Sequence, residues 1–317
     1  MELFYFLLLG FAILMYVVLD GFDLGLGILF PVLPAQADRD MMMRSVSHVW
    51  DGNETWLVFG GVILMGAFPA AYATLLPTLY LPIILMLVAL IFRGIAFEYR
   101  FKAHSSRRWW DLAFGLGSSV AAFSQGLMLG SLVQSGGEHL LTPFSVLTAF
   151  AVMAGYALLG ATYLVVKTSG ELQARARAVS KPLLLAVMVA MAAVSVWNLL
   201  AVPSVEQRWL ANIGWLWPIP LLTAAIAVVL WQGLKRSDVL PFFCTIGLFV
   251  MGFAGLVVGL FPQLVPGRLN LFEAAAPTQS LTFMLPGVLI FVPVILGYTL
   301  WGYRVFRGKV DDFEEGY

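Results

Sequence analysis

Residues 3–33 read LFYFLLLGFAILMYVVLDGFDLGLGILFPVL. From Leu3 to Leu19 the run carries no charge. A helix that crosses a membrane needs about 20 mostly apolar residues to span a hydrocarbon core of about 30 Å. At about 1.5 Å per residue this run would extend about 46 Å as a straight helix, well beyond that thickness. It has no basic leader and no small-residue cleavage site, so it reads as a first membrane helix rather than a removable signal. Its second half carries Asp20 and Asp23, three residues apart and so neighbours on one helix face. Gly21, Gly25 and Gly27 lie among them, where missing side chains let another element approach closely.

The same apolar character fills the chain. Of 317 residues, 61% are hydrophobic and 11% charged. Soluble domains carry about 45–50% apolar and about 25% charged residues, so lipid must solvate most of this surface. Nine stretches are long enough to cross: roughly 3–33, 54–76, 78–99, 111–133, 144–166, 183–203, 213–233, 239–261 and 282–303. Backbone groups in hydrocarbon must bond internally, and barrel strands would be about half as long and alternately polar, so these runs predict helices. The expected architecture is an all-α polytopic membrane protein of about nine helices forming one membrane domain over 1–317. Its joints carry turn and charge signals, including Pro34, Pro77, His104 and Gly136-Gly137. The joint at Pro77 predicts a tight antiparallel hairpin.

Basic residues orient the bundle. Fifteen of the 18 Lys and Arg fall in joints on one side, two (Arg208 and Arg268) on the other, and Arg93 lies inside the third helix. Positive charge accumulates on the cytoplasmic side, so the N-terminus is expected outside and the C-terminus in the cytoplasm. No basic run long enough to hold nucleic acid appears. Cys244 is the one cysteine, which excludes a disulfide framework and a thiolate metal site. His48, His104 and His139 fall in joints rather than within helices, so the chain offers no haem or metal site of its own.

The intramembrane charges gather at one depth. Asp20 and Asp23 lie in the inner half of helix one, Asp51 and Glu54 at the inner start of helix two, and Arg93 and Glu98 at the inner end of helix three. A charge at the membrane centre costs on the order of 3 kcal/mol, so these groups must pair, protonate, line a wet cavity or face a partner. A buried ion-pair cluster around Arg93 could simply fix packing. Asp51 or Asn53 could cap helix two. Capping fails for Asp20 and Asp23, which sit within an apolar helix and suit a pathway for protons or cations.

The stretches Asp20–Gly27, Trp50-Asp-Gly-Asn-Glu-Thr-Trp-Leu57, Phe68-Pro-Ala-Ala-Tyr72 and Arg93-Gly-Ile-Ala-Phe-Glu-Tyr-Arg100 resemble subunit II of the cytochrome bd-type quinol oxidases. The resemblance implies a part in oxidising quinol and reducing dioxygen to water in a bacterial inner membrane. It implies a subunit I partner bearing haem b and haem d, and a small single-helix subunit, quinone and lipids as further associates. Asp20, Asp23, Asp51, Glu54 and Glu98 then become proton-pathway candidates, with Arg93 as their charge partner. Gly25, Trp56 and Leu57 become candidate walls of an oxygen route. The competing reading is a proton- or cation-coupled secondary transporter, which membrane carboxylates and glycine-interrupted helices also suit.

Overall fold

The computed structural model describes residues 1–33, 35–103 and 105–310, without the side chains of Pro203 and Ser204. The turn signal at Pro34 and the histidine at 104 therefore lie outside the described residues. Thirteen helices and one short hairpin follow in order. They are α1 (Glu2–Leu29), α2 (Gln36–Val46), α3 (Trp50–Ala67), α4 (Pro69–Tyr99), α5 (Arg107–Ser135), α6 (Pro143–Lys167), α7 (Gly170–Ala201), α8 (Pro203–Ala211), α9 (Ile213–Leu216), α10 (Pro218–Arg236) and α11 (Leu240–Leu260). Strands β1 (Gln263–Val265) and β2 (Leu269–Asn270), then α12 (Leu271–Ala274) and α13 (Thr278–Val305), complete the chain.

Among the described residues, eight helical segments are long and apolar enough to cross a membrane: α1, α4, α5, α6, α7, α9 with α10, α11 and α13. Helix α3 is the shorter ninth, at 18 residues or about 27 Å. Its first turn carries Asp51, Asn53 and Glu54, which makes it too polar to qualify by composition.

The hairpin expected at Pro77 lies elsewhere. The chain breaks at Phe68, whose non-helical backbone (φ −132°, ψ 60°) precedes Pro69 at the start of α4. Proline disfavours helical geometry in the residue before it, yet is tolerated in a helix's first turn, where its missing N–H has no partner to lose. Pro77 and Pro82 instead lie inside α4. Nearby Thr74 and Thr78 bond backbone carbonyls through their hydroxyls. The first helix ends at Leu29 rather than near residue 33, and the joint after it, marked by turn and charge signals, folds into α2.

Helix α1 is the centre of the bundle, with α3, α5 and α6 packed around it. The close approach to α6 depends on Gly25 and Gly160. A Cβ on Gly25 would meet the Tyr156 carbonyl oxygen at 1.8 Å, and one on Gly160 would meet Gly25 backbone at 2.6 Å. Backbone on both sides cannot yield. Gly25→Val is therefore expected to separate the two helices at an overpacking cost of about 1–3 kcal/mol or more. A lower yield of folded protein and a lower melting temperature in detergent would register it, and an unchanged melting curve would contradict the contact.

Two polar clamps close one end of the bundle. Fully buried Arg100 bonds Asp40 at 2.7 Å and also Asp111, while Arg39 reaches Asp111 at 3.1 Å. These pairs tie α2 to the end of α4 and the start of α5. Farther along, Lys309 bonds Asp238 at 2.8 Å and the Thr168 carbonyl at 2.9 Å, and Arg177 also pairs with Asp238. The hydrogen bond from Lys309 is the largest influence holding the Asp238 carboxyl below its usual value of 3.8. A depressed folded value means the contribution is complete above that usual value and is lost as pH falls through the lower one. Asp238 is 44% exposed, so solvent screens the pair. Asp238→Asn is expected to cost under about 1 kcal/mol. It should nonetheless speed protease cleavage near Lys309 at neutral pH, and unchanged cleavage would show that the backbone contacts alone hold the tail.

Candidate functional site

Three helices bring the charged cluster together. Asp20 and Asp23 share one face of α1, and both are fully buried. Arg93 enters from α4, also fully buried. Glu54 enters from α3 with 23% of its side chain exposed. The guanidinium Nη2 lies 2.7 Å from Asp20 Oδ1 and 2.6 Å from Glu54 Oε1. One cation thus faces two carboxylates.

Asp23 is held differently. Its Oδ2 accepts from Asn53 Nδ2 at 2.8 Å, and Asn53 Oδ1 accepts from the Tyr303 hydroxyl at 2.8 Å. No ion pair to Asp23 forms among the described residues. Three carboxyl groups around one guanidinium carry more negative charge than a single cation balances. Arg93 Nε and Nη1 and Asp23 Oδ1 are buried with no hydrogen-bond partner among the described residues. Buried polar groups of this kind are ordinarily satisfied by protein or ordered water, so the site is a polar one opened at Glu54.

The six expected charges do not all converge. Glu98 is 66% exposed and pairs only with Lys102, one turn on, at 3.5 Å. Asp51 is exposed on the first turn of α3. Both face away from Arg93 because they lie on the outer faces of their helices. The capping alternative for Asp51 and Asn53 also fails: the residue preceding α3 is Val49, with no side-chain cap, and Asn53 is spent on Asp23.

Sequence reasoning missed the aromatic and amide surround. Gln125 Nε2 donates to the Tyr16 hydroxyl at 2.8 Å, and the Tyr156 hydroxyl donates to Gln125 Oε1 at 2.6 Å. Tyr16 stands four residues before Asp20, a spacing that places both on one face and was available in the sequence. Gln125 and Tyr303 gave no such signal.

The three oxygen-route candidates part company. Trp56 is fully buried, its ring edge-on to Phe11 at 5.6 Å, and half-buried Leu57 packs beside it with Ala12 and Tyr16. Gly25 faces α6 backbone, which leaves no crevice between the two helices there.

Haem ligation does not fit the histidines described. His48 lies between α2 and α3 with its ring 3.9 Å from Phe306, and His139 is exposed beyond the end of α5. Among the described residues no three His, Cys, Asp or Glu side chains gather as a metal site requires.

Fold and site together define a multi-pass helical membrane protein with a cluster of acids buried around one arginine. The chain belongs to the cytochrome bd terminal oxidase subunit II family, whose model matches residues 1–306. It is 28% identical to cytochrome bd-I ubiquinol oxidase subunit 2 of Escherichia coli strain K12, over 96% of this chain and 94% of that one. It is 26% identical to cytochrome bd ubiquinol oxidase subunit 2 of Bacillus subtilis strain 168, over 98% and 97%. The fold matches a chain of the bd oxidase from Geobacillus thermodenitrificans with a TM-score of 0.80 and 17% identity, over 96% of this chain and 98% of that one. The protein is therefore a subunit of a terminal oxidase in the bacterial cytoplasmic membrane, and the transporter reading falls.

Proposed function

We propose that this chain assembles with a haem-bearing subunit I and carries protons from the cytoplasm toward it. The complex oxidises quinol and reduces dioxygen to water, with haem b and haem d held by the partner. The carrying observation is the mismatch at Arg93, which faces both Asp20 and Glu54 and leaves Asp23 with an amide donor only. On this reading Asp20 is the standing counter-ion of Arg93. Glu54, the one partly exposed acid, is the entrance, and Asp23 exchanges the proton. Exposed Asp51 and Glu98 collect protons at the cytoplasmic mouth. Trp56 and Leu57 wall an oxygen route, without Gly25. A small single-helix subunit, quinone and lipids complete the assembly around one membrane domain.

The test is purification of the tagged chain from its membrane, followed by visible spectra and oxygen uptake with quinol. A co-purifying chain with haem bands and quinol-dependent oxygen uptake are expected. Glu54→Gln keeps an acceptor for Arg93 but cannot release a proton. It should lower oxygen uptake per haem about 10²-fold, the lower end of general acid–base effects. Normal uptake in that variant would remove Glu54 from the path.

A further inference from the structure

Tyr16, Gln125 and Tyr156 join α1, α5 and α6 through two side-chain hydrogen bonds. Tyr16 and Tyr156 are buried, and Gln125 is half-buried between them. Three helices contribute one residue each. Gly126 makes the meeting possible: its bare Cα lets α5 close on Ala149 of α6, where a Cβ would lie 2.4 Å from the Ala149 Cα. The neighbouring amide is thereby brought within 2.6 Å of the Tyr156 hydroxyl.

The direction of these bonds follows from Asp20. Tyr16 stands one turn before Asp20 on the same face of α1, its hydroxyl donates to no group among the described residues, and Asp20 Oδ2 is buried without a hydrogen-bond partner. An ionised carboxylate accepts only, so Asp20 offers an acceptor for the one proton of Tyr16. Its oxygen then accepts from the amide nitrogen of Gln125, which turns the amide oxygen toward Tyr156. Each member has one orientation compatible with the next. A leucine at 125 would fill the space and leave the Tyr16 hydroxyl free to rotate away.

We propose that Gln125, fixed by Tyr156, is a positioning residue that aims the Tyr16 hydroxyl at Asp20 and so holds the Asp20–Arg93 pair in place for proton transfer. The inference rests on the proton-pathway reading above. Asp20 meets other charged or titratable groups from every side: Arg93 of α4, Glu54 of α3, Asp23 of its own helix, Tyr156 of α6 and Tyr303 of α13. Of these, Tyr156 alone is bonded to Gln125.

The experiment uses the intact oxidase complex with Tyr16→Phe, Gln125→Leu, the double variant and Gln125→Glu. Haem content and the pH profile of oxygen uptake per haem are measured. Tyr16→Phe and Gln125→Leu are expected to keep haem content and to displace the pH profile by the same amount in the same direction. The double variant should be no slower than Tyr16→Phe alone, because both changes remove one donor from Asp20. Gln125→Glu offers acceptors to both tyrosines and withdraws the Tyr16 proton, so it should behave as Tyr16→Phe does. Effects that add, or profiles that stay at the wild-type position, would overturn the proposal and leave the three residues a packing contact. Asp20→Asn run in parallel separates the two failures. If it slows uptake per haem while the Tyr16 and Gln125 variants do not, only the positioning role fails. If it leaves uptake unchanged, the pathway reading fails and takes this inference with it.

Discussion

Arg93→Leu is expected to abolish the assembled oxidase almost completely. The substitution removes the one guanidinium between Asp20 and Glu54 and leaves both carboxylates without a cation, one of them fully buried. Removing one partner of a buried pair typically costs about 3–5 kcal/mol, because the remaining charge stays desolvated. Total stabilities are about 5–15 kcal/mol, so a loss of that size takes much of the margin. The measurement is haem absorbance per unit of membrane protein, with immunodetection of this chain. A second variant isolates the cause. Arg93→Leu combined with Asp20→Asn and Glu54→Gln leaves no unpaired charge and should recover part of the haem signal. If Arg93→Leu alone assembled at the wild-type level, Asp20 and Glu54 would have to be neutral in the folded protein. The ion pair would then not be what holds α1, α3 and α4 together.

The sequence made the bundle legible because lipid imposes a length and a composition on every crossing. The distribution of Lys and Arg supplies an expected orientation on a separate ground, the accumulation of positive charge on the cytoplasmic side. The hairpin at Pro77 was misplaced because two prolines in apolar surroundings look alike in sequence. Pro69 begins a helix and Pro77 continues one, a difference set by packing within the bundle rather than by the local sequence. Helix α2 was illegible because its role is polar: its Asp40 pairs with Arg100, sixty residues away.

The site was legible in part, and along one line. Residues on a shared helix face, such as Asp20 and Asp23, are readable from spacing. Which helices meet is not. Glu98 and Glu54 looked equivalent, being acids at helix ends at the same depth. The rotation of α4 and α3 about their axes turned Glu98 outward to Lys102 and Glu54 inward to Arg93. Gln125 and Tyr303 had no charge to draw attention. They reach the cluster only through the packing of α5 and α13.

Asp23→Asn is expected to separate proton delivery from assembly. Asp23 takes part in no ion pair among the described residues, and its bond to Asn53 Nδ2 needs only an oxygen acceptor, which an asparagine amide supplies. Haem content should therefore stay near wild type. The substituted amide cannot take up and release a proton, so oxygen uptake per haem should fall about 10²-fold, the lower end of what positioned proton transfer contributes. Asp20→Asn should differ in kind. It leaves Arg93 with Glu54 as its one carboxylate, so both haem content and uptake per haem should drop. A cluster that serves packing alone predicts a different pattern for Asp23→Asn: intact haem, with normal turnover per haem. Stopped-flow oxygen reduction with a pH-indicator dye reads both the electron and the proton steps. Full-rate dye response in a well-assembled Asp20→Asn/Asp23→Asn double variant would place the path elsewhere. The three-helix cluster would then be a buried charge arrangement that only orients α1 against α3 and α4.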